Sequence, residues 1–248
     1  MLSCKKDGFN NTLITIVDSS HISITNASPS IANLQLFLNN TLVPFPDTPV
    51  SFGKTVFQSY IFNSTTYHPD TLFLPYININ PGFNELSFKD YTRSEMINVL
   101  DGNFDSGSNY SLFLVDTLIH GKVNSILLKD NLQKVDSTKS QIRFLNLSPD
   151  APPMDVWAYP NGGPNGYKIF SHCNYIPRDF NSFLQAQNFS LIDMGPYFFI
   201  ATESGTSNVL LAGQMVIFGK TVITLYAKGY LAGRGVNSLD VGVIQYQQ

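Results

Sequence analysis

The chain has 248 residues, of which 43% are hydrophobic, 13% aromatic and only 13% charged, and its net charge at pH 7 is −3. Disordered chains are rich in charge and poor in aromatic residues, so this composition indicates a folded protein. Lysine and arginine form no cluster beyond Lys5-Lys6, which argues against nucleic-acid binding, and no apolar run reaches the roughly 18 residues of a membrane-spanning helix.

The N-terminal sequence Met1-Leu2-Ser3-Cys4-Lys5-Lys6-Asp7 resembles the end of a lipoprotein signal of the Bacteroidota. The resemblance implies that Cys4 is lipidated, that residues 1–16 form a tether, and that the protein is anchored in a bacterial outer membrane and exposed on the cell surface. Only three residues precede Cys4, fewer than the apolar segment of a signal peptide. Two alternatives therefore remain: the start is late or trimmed, or Met1 is the true start and Cys4 is an ordinary thiol.

An internal repeat organises the rest of the chain. Three segments of the first half recur in the second half: 26–29 as 146–149, 110–115 as 223–228, and 123–125 as 236–238. A repeat of this length indicates two units of one fold. We therefore predict two domains, at 17–134 and 135–248.

The hydrophobic pattern alternates with period two along most of the chain, as in the segments 34–38 and 154–158. Turn sequences such as Asn80-Pro81-Gly82 separate the alternating segments. Short helical turns are predicted only at 94–100 and 180–188. Many short strands with regular turns predict an all-β fold of two tandem antiparallel β-sandwiches, immunoglobulin/transthyretin-like in type.

The sequence contains no recognisable catalytic or metal-binding motif. Gly219-Lys220-Thr221 resembles part of a phosphate loop, but it precedes a β-run rather than a helix, so it predicts a hairpin turn. The histidines lack the spacing of a zinc site, although a Ser-His-Asp arrangement of distant residues stays open. We predict a protein that is not an enzyme and needs no cofactor or metal, with Cys173 as a buried and unreactive thiol.

One strand carries a candidate contact surface. Alternation along 154–159 places three residues on one face: Asp155, Trp157 and Tyr159. A face with the single tryptophan, a tyrosine and a carboxylate suits stacking on a sugar ring or anchoring a protein partner. We predict that these three residues contact the partner; the alternative is that Trp157 covers the seam between the domains or the loop 161–167.

Three features of the sequence together resemble the family called domain of unknown function 4397. They are the Asn-x-Ser-Pro motifs, the strand that follows the second motif, and the closing segment 224–229 (Thr-Leu-Tyr-Ala-Lys-Gly). The resemblance implies a tandem β-sandwich lipoprotein of the bacterial envelope and supplies no catalytic residue. The first copy departs from the pattern, with Ser30 and Asp116 where the second copy has Asp150 and Gly229. We expect a non-enzymatic, lipid-anchored protein that binds a protein or glycan partner. The alternatives are a structural subunit of an outer-membrane assembly and a glycan-active enzyme.

Overall fold

The computed structural model describes residues 19–43, 50–51, 76–119, 121–178 and 180–247. The predicted tether 1–16 and its Cys4 lie outside the described residues. The strands are β1 Ser20–Asn26, β2 Asn33–Leu38, β3 Thr41–Leu42, β4 Val50–Ser51, β5 Ile77–Ile79, β6 Gly82–Asp90, β7 Glu95–Phe104, β8 Asn109–Ile119, β9 Lys122–Lys129, β10 Lys139–Asn146, β11 Met154–Pro160, β12 Tyr167–Cys173, β13 Ser190–Asp193, β14 Gly195–Glu203, β15 Val209–Ile217, β16 Thr221–Lys228 and β17 Asp240–Gln247, and helix α1 is Phe180–Gln185.

Each half of the described chain consists of two sheets. The first half has the strand orders β5-β1-β8-β9 and β3-β2-β6-β7, with β4 also pairing with β2, and the second has β13-β10-β16-β17 and β12-β11-β14-β15. The strands pair antiparallel except for β1 with β8 and β10 with β16, which run parallel. The same topology therefore occurs twice, and the predicted fold of two tandem β-sandwiches is confirmed. The residue boundaries of the two domains stay a prediction.

Alternate residues of these strands fill a hydrophobic core between the two sheets of each half, as the period of two requires. The core of the first half includes Ile22, Ile24, Leu34, Leu36, Leu86 and Phe88. The core of the second half includes Ile142, Phe144, Met154, Val156, Phe199 and Leu225. Burial of these side chains is the main favourable contribution to the stability of each sandwich.

The serine of the repeated Asn-x-Ser-Pro motif ties the first strand of each half to the end of its parallel partner. The Ser28 hydroxyl donates to the carbonyl of Asp116 at 2.6 Å, and the Ser148 hydroxyl donates to the carbonyl of Gly229 at 2.7 Å. Asp116 and Gly229 both have positive φ, at 68° and 81°. A Cβ at Gly229 would overlap a backbone carbonyl, so glycine is required there.

The asparagine of the same motif holds the loop that follows. The Asn26 amide donates to the carbonyl of Ile31 at 2.9 Å, and the Asn146 amide donates to the carbonyl of Pro152 at 3.2 Å. Both side chains thus satisfy carbonyls of the loop that follows the first strand of each half.

The two halves pack against each other through the sheets β5-β1-β8-β9 and β13-β10-β16-β17. A third hydrophobic cluster takes residues from both halves: Ala27, Phe113, Val115, Ile126, Leu128, Leu145, Leu147, Ile176, Ala186, Tyr226 and Ile244. The molecule is therefore a stack of four sheets, with these two inside and the other two outside.

A buried polar network crosses this seam between the halves. Nη1 of Arg143 donates to Oδ1 of Asp130 at 2.7 Å, and both side chains are almost wholly buried. The other carboxylate oxygen accepts from the hydroxyls of Ser111 and Tyr76, both at 2.7 Å. The Tyr76 hydroxyl also lies 2.7 Å from that of Tyr246. A buried ion pair needs such additional hydrogen bonds to offset its desolvation.

The helical turn predicted at 94–100 is wrong, because β7 begins at Glu95, whereas the short helix predicted near 180–188 is confirmed by α1. Within the described residues, no helix has the length and apolar character that crossing a membrane demands.

Candidate functional site

The predicted contact strand β11 lies inside the outer sheet of the second half, and its outward residues form rows with those of β14. Trp157 pairs with Ile200, and Tyr159 pairs with Phe198. The rows continue onto β15, where Gln214 pairs with Phe198. Because neighbouring strands lie about 4.8 Å apart and paired residues share a face, these side chains form one surface, which we call the aromatic face.

The side chains of the aromatic face are accessible. Trp157 and Tyr159 are partly exposed, Phe198 is 36% exposed, and Gln214 is exposed. The Tyr159 ring packs directly against Gly166, where a Cβ would overlap the ring. The alternative that Trp157 covers the seam between the halves is wrong, because the seam lies between the two inner sheets.

A lysine fixes the position of the tryptophan. Nζ of Lys168 lies 5.1 Å from the centroid of the Trp157 ring, within the range of a cation–π interaction. The same nitrogen donates to Oδ2 of Asp155 at 2.6 Å. Lys168 is therefore held between a carboxylate and an indole ring, and its charge is compensated.

Asp155 is buried and fully engaged beneath this lysine. Besides Lys168 it accepts hydrogen bonds from the backbone N–H of His172 at 2.8 Å, the hydroxyl of Ser204 at 3.1 Å and the backbone N–H of Gly205 at 3.3 Å. Burial acts to raise the pKa of Asp155, but these four donors outweigh it and hold the pKa well below its usual value. Asp155 thus positions Lys168 and the adjoining turn, and it presents little surface to a partner.

The structure also brings together a serine, a histidine and an aspartate, which the sequence left open. Nδ1 of His172 lies 3.1 Å from the hydroxyl of Ser204, and that hydroxyl also contacts Asp155. In a catalytic triad the carboxylate orients the imidazole and the imidazole contacts the nucleophile. Here the carboxylate contacts the serine and the His172 backbone, and among the described residues the imidazole makes its one hydrogen bond to Ser204. This connectivity differs from that of a catalytic triad, because the carboxylate does not orient the imidazole ring.

The corresponding face of the first half is different. Phe37 takes the place of Trp157, but it pairs with Ser87 rather than with an apolar residue. Nζ of Lys89 lies 4.8 Å from the centroid of the Phe37 ring, and the Ser87 hydroxyl donates to Glu85. The adjoining aromatic rings therefore occur only in the second half, among the residues described.

Cys173 is half-buried rather than fully buried. Burial, together with the charge of Asp155, raises the pKa of the Cys173 thiol to about 12. The thiol is therefore protonated at neutral pH, which agrees with the predicted lack of reactivity. In the part of the chain that the structure describes, no group of three His, Cys, Asp or Glu residues is arranged to hold a metal ion.

Sequence reasoning placed Asp155, Trp157 and Tyr159 on one face but missed Lys168, Phe198 and Gln214. These residues lie on neighbouring strands, and strand pairing is a long-range property that a single sequence does not display. The alternation of β14, which sets Phe198 opposite the buried Tyr197 and Phe199, is the one local signal that points to it.

Comparison with solved structures finds matches of low sequence identity and low TM-score. Family 41 carbohydrate-binding modules from streptococcal virulence factors share 10% identity over 90% of this chain and 96% of theirs, with a TM-score of 0.26. A family 26 carbohydrate-binding module of Eubacterium rectale Amy13K, in complex with maltoheptaose, shares 8% identity over 92% of this chain and 97% of its own, with a TM-score of 0.24. A leucine-rich repeat protein of Bacteroides thetaiotaomicron shares 8% identity over 90% of this chain and 27% of its own, with a TM-score of 0.22. TM-scores this low support no conclusion about fold or function.

Sequence comparison is more informative. Among curated protein sequences, none matches the chain. The profile of the family described as "Domain of unknown function (DUF4397)" matches residues 20–157. This match covers more than half of the chain, from β1 through the first half to Trp157. The chain therefore belongs to the family of unknown function DUF4397.

Proposed function

We propose that the protein is a non-enzymatic binding module that recognises a glycan through the aromatic face of its second sandwich, and that a lipid on Cys4 holds it at the outer surface of a bacterial outer membrane. The observation that carries the glycan proposal is the set of adjoining rings of Trp157, Tyr159 and Phe198 on an exposed sheet.

The aromatic face matches the chemistry of a sugar. The apolar face of a pyranose ring stacks on an aromatic ring, while its hydroxyls need polar neighbours, which Lys168 and Gln214 offer at the margins of the aromatic face. Asp155 compensates the charge of Lys168 at 2.6 Å. The aromatic face therefore suits a neutral glycan better than an anionic one.

A glycan array followed by titration calorimetry tests this proposal. Trp157→Ala should weaken binding of the best glycan by about 30-fold, because an aromatic hot spot contributes about 2 kcal/mol or more. Phe37→Ala, at the corresponding position of the first half, is the matched control and should bind as the wild type does. Equal affinity of Trp157→Ala and wild type, or an array without any bound glycan, contradicts the proposal.

The proposed anchor rests on the resemblance of Met1-Leu2-Ser3-Cys4 to a lipoprotein signal. The gene with its upstream sequence should be expressed in a bacterial host that is fed an alkyne fatty-acid analogue. We expect labelling of the wild type and none of Cys4→Ala. Labelling of equal intensity in both contradicts the anchor but leaves the glycan proposal standing.

A protein partner is the second candidate, and a specific surface favours it. Met194, Val216 and Phe218 are 54%, 49% and 37% exposed, and the pairing of Gly195 with Ile217 brings them together at one end of β14 and β15. Adjoining exposed apolar side chains of this kind mark contact surfaces. A stoichiometric partner in a pull-down from solubilised outer membrane, lost in Met194→Ser/Val216→Ser, would favour a subunit of an assembly.

A further inference from the structure

The second half also contains a cavity whose lining residues differ from those of the aromatic face. It is a cavity of about 240 Å³ between β10, β12 and the segment around α1. Its wall includes Arg143, Ser171, Gln185 and Asn188 but neither Trp157 nor any other residue of the aromatic face.

The cavity exists because β10 lacks a continuous neighbour along one edge. β13 pairs with β10 only from Lys139 to Ile142, and the next partner on that side is the single bridge from Asn146 to Tyr175. Between Ile142 and Asn146 the edge of β10 faces the cavity instead of a strand. A ligand there would take the place of the missing strand neighbour.

Several hydrogen-bonding groups on the wall are not used within the described residues. Arg143 has five N–H donors, and four of them are engaged, by Thr224, Asp130, the carbonyl of Ala186 and Ser111. The fifth, on Nη2, has no partner in the described part of the chain, although the side chain is almost wholly buried.

Three amide and hydroxyl side chains add to this set. Asn188 accepts through Oδ1 from Asn131, which leaves its NH₂ group without a partner among the described residues. The side chains of Gln185 and Ser171 likewise make no hydrogen bond within the described ranges, and both are exposed at the cavity.

The charge and the apolar walls narrow the class of ligand. Among the described residues, Arg143 is the one charged residue of the wall, Asp130 neutralises it at 2.7 Å, and no carboxylate lines the cavity. The lining also includes the apolar side chains of Phe144, Ile169 and Phe170. An anion would find no spare positive charge and a cation no carboxylate, so the cavity suits a neutral ligand with hydroxyls on its edge and an apolar face.

We propose that this cavity binds one neutral sugar ring, a pyranose, as a site separate from the aromatic face. The volume is below the range of about 300–1,000 Å³ that drug-sized ligands occupy and therefore suits a single ring. The site goes beyond the proposed function, because its residues and its side of the sandwich differ from those of the aromatic face.

Saturation-transfer NMR and titration calorimetry with glucose, galactose, mannose and N-acetylglucosamine test the cavity site. Ser171→Tyr places a bulky side chain at an exposed position of the wall, and Ser207→Tyr, on an exposed turn, is the matched control. We expect binding of at least one of the four sugars, weakened more than 10-fold by Ser171→Tyr and unchanged by Ser207→Tyr. Trp157→Ala should also leave it unchanged, which separates this site from the proposed glycan surface.

The cavity site is overturned if none of the four sugars binds at about 10 mM, well above a dissociation constant of about 1 mM. It is also overturned if Ser171→Tyr binds normally or if Trp157→Ala alone abolishes binding.

Discussion

The buried pair of Arg143 and Asp130 gives the sharpest test of how the two halves are joined. Arg143→Met keeps much of the side-chain volume but leaves the Asp130 carboxylate buried, with only the hydroxyls of Ser111 and Tyr76 as donors. It also leaves the Thr224 hydroxyl without its guanidinium partner. The Asp130 carboxylate is then a buried charge without a counter-ion.

The uncompensated charge lowers the free energy of unfolding. Removing one partner of a buried ion pair costs about 3–5 kcal/mol. For a chain of this size each kcal/mol lowers Tm by about 2–4 °C, so we expect Arg143→Met to lower Tm by roughly 10 °C.

Urea unfolding with two probes measures this effect. Far-ultraviolet circular dichroism reports both halves, whereas fluorescence of the single tryptophan, Trp157, reports the second half alone. In the wild type both transitions should coincide, since the halves share a core. The double variant Arg143→Met/Asp130→Leu should recover most of the lost stability, because an apolar pair of similar volume often replaces a buried ion pair without loss.

Two results would refute this reasoning. A loss of less than about 1 kcal/mol in Arg143→Met would mean that the Asp130 carboxylate is solvated in the variant. A double variant no more stable than Arg143→Met would mean that packing at the seam, rather than an orphaned charge, determines the cost.

Three other predictions follow from groups with unusual environments. Asp155→Asn should flatten the acid side of the Tm-versus-pH curve. Because the pKa of Asp155 is lowered in the fold, Asp155 stabilises the fold above its unfolded pKa of about 3.9, and this stabilisation is lost as pH falls through the folded pKa. An unchanged acid side of the curve would contradict this. Gly229→Ala should lower the free energy of unfolding in urea by more than about 1 kcal/mol. Asp116→Gly, at the matching positive φ in the first half, should have little effect or should stabilise the protein. Equal losses in both variants would show that the left-handed backbone is not the cause. Burial raises the pKa of Tyr76 and Tyr246, so both side chains stabilise the fold below their unfolded pKa of about 10, and this stabilisation is lost as pH rises further. Tyr246→Phe should therefore reduce the loss of Tm at alkaline pH. A steeper loss of Tm in the variant would count against this.

The sequence predicts local features of this fold well, because alternation and turn chemistry are local. The repeat of 110–115 in 223–228 identifies β8 and β16, which are equivalent strands. The repeat of 123–125 in 236–238 misleads, because Val123 lies in β9 whereas Val236 lies in a 3₁₀ turn. A three-residue likeness carries too little information to define the register of a sheet.

The candidate site is also predictable only in its local features. Trp157 and Tyr159 follow from alternation on one strand, whereas the burial of Asp155 under Lys168 depends on how β12 and a distant turn pack onto β11. The cavity beside Arg143 leaves no sequence signal, because it arises from a gap between a strand and a neighbour that ends early.

The stack of four sheets sets a distance and a direction. Sheets pack about 10 Å apart, so the two outermost surfaces stand roughly 30 Å from each other and look in opposite directions. The two outer sheets therefore face in opposite directions. A surface that is attached to one outer sheet lies one molecular thickness away from the other outer sheet.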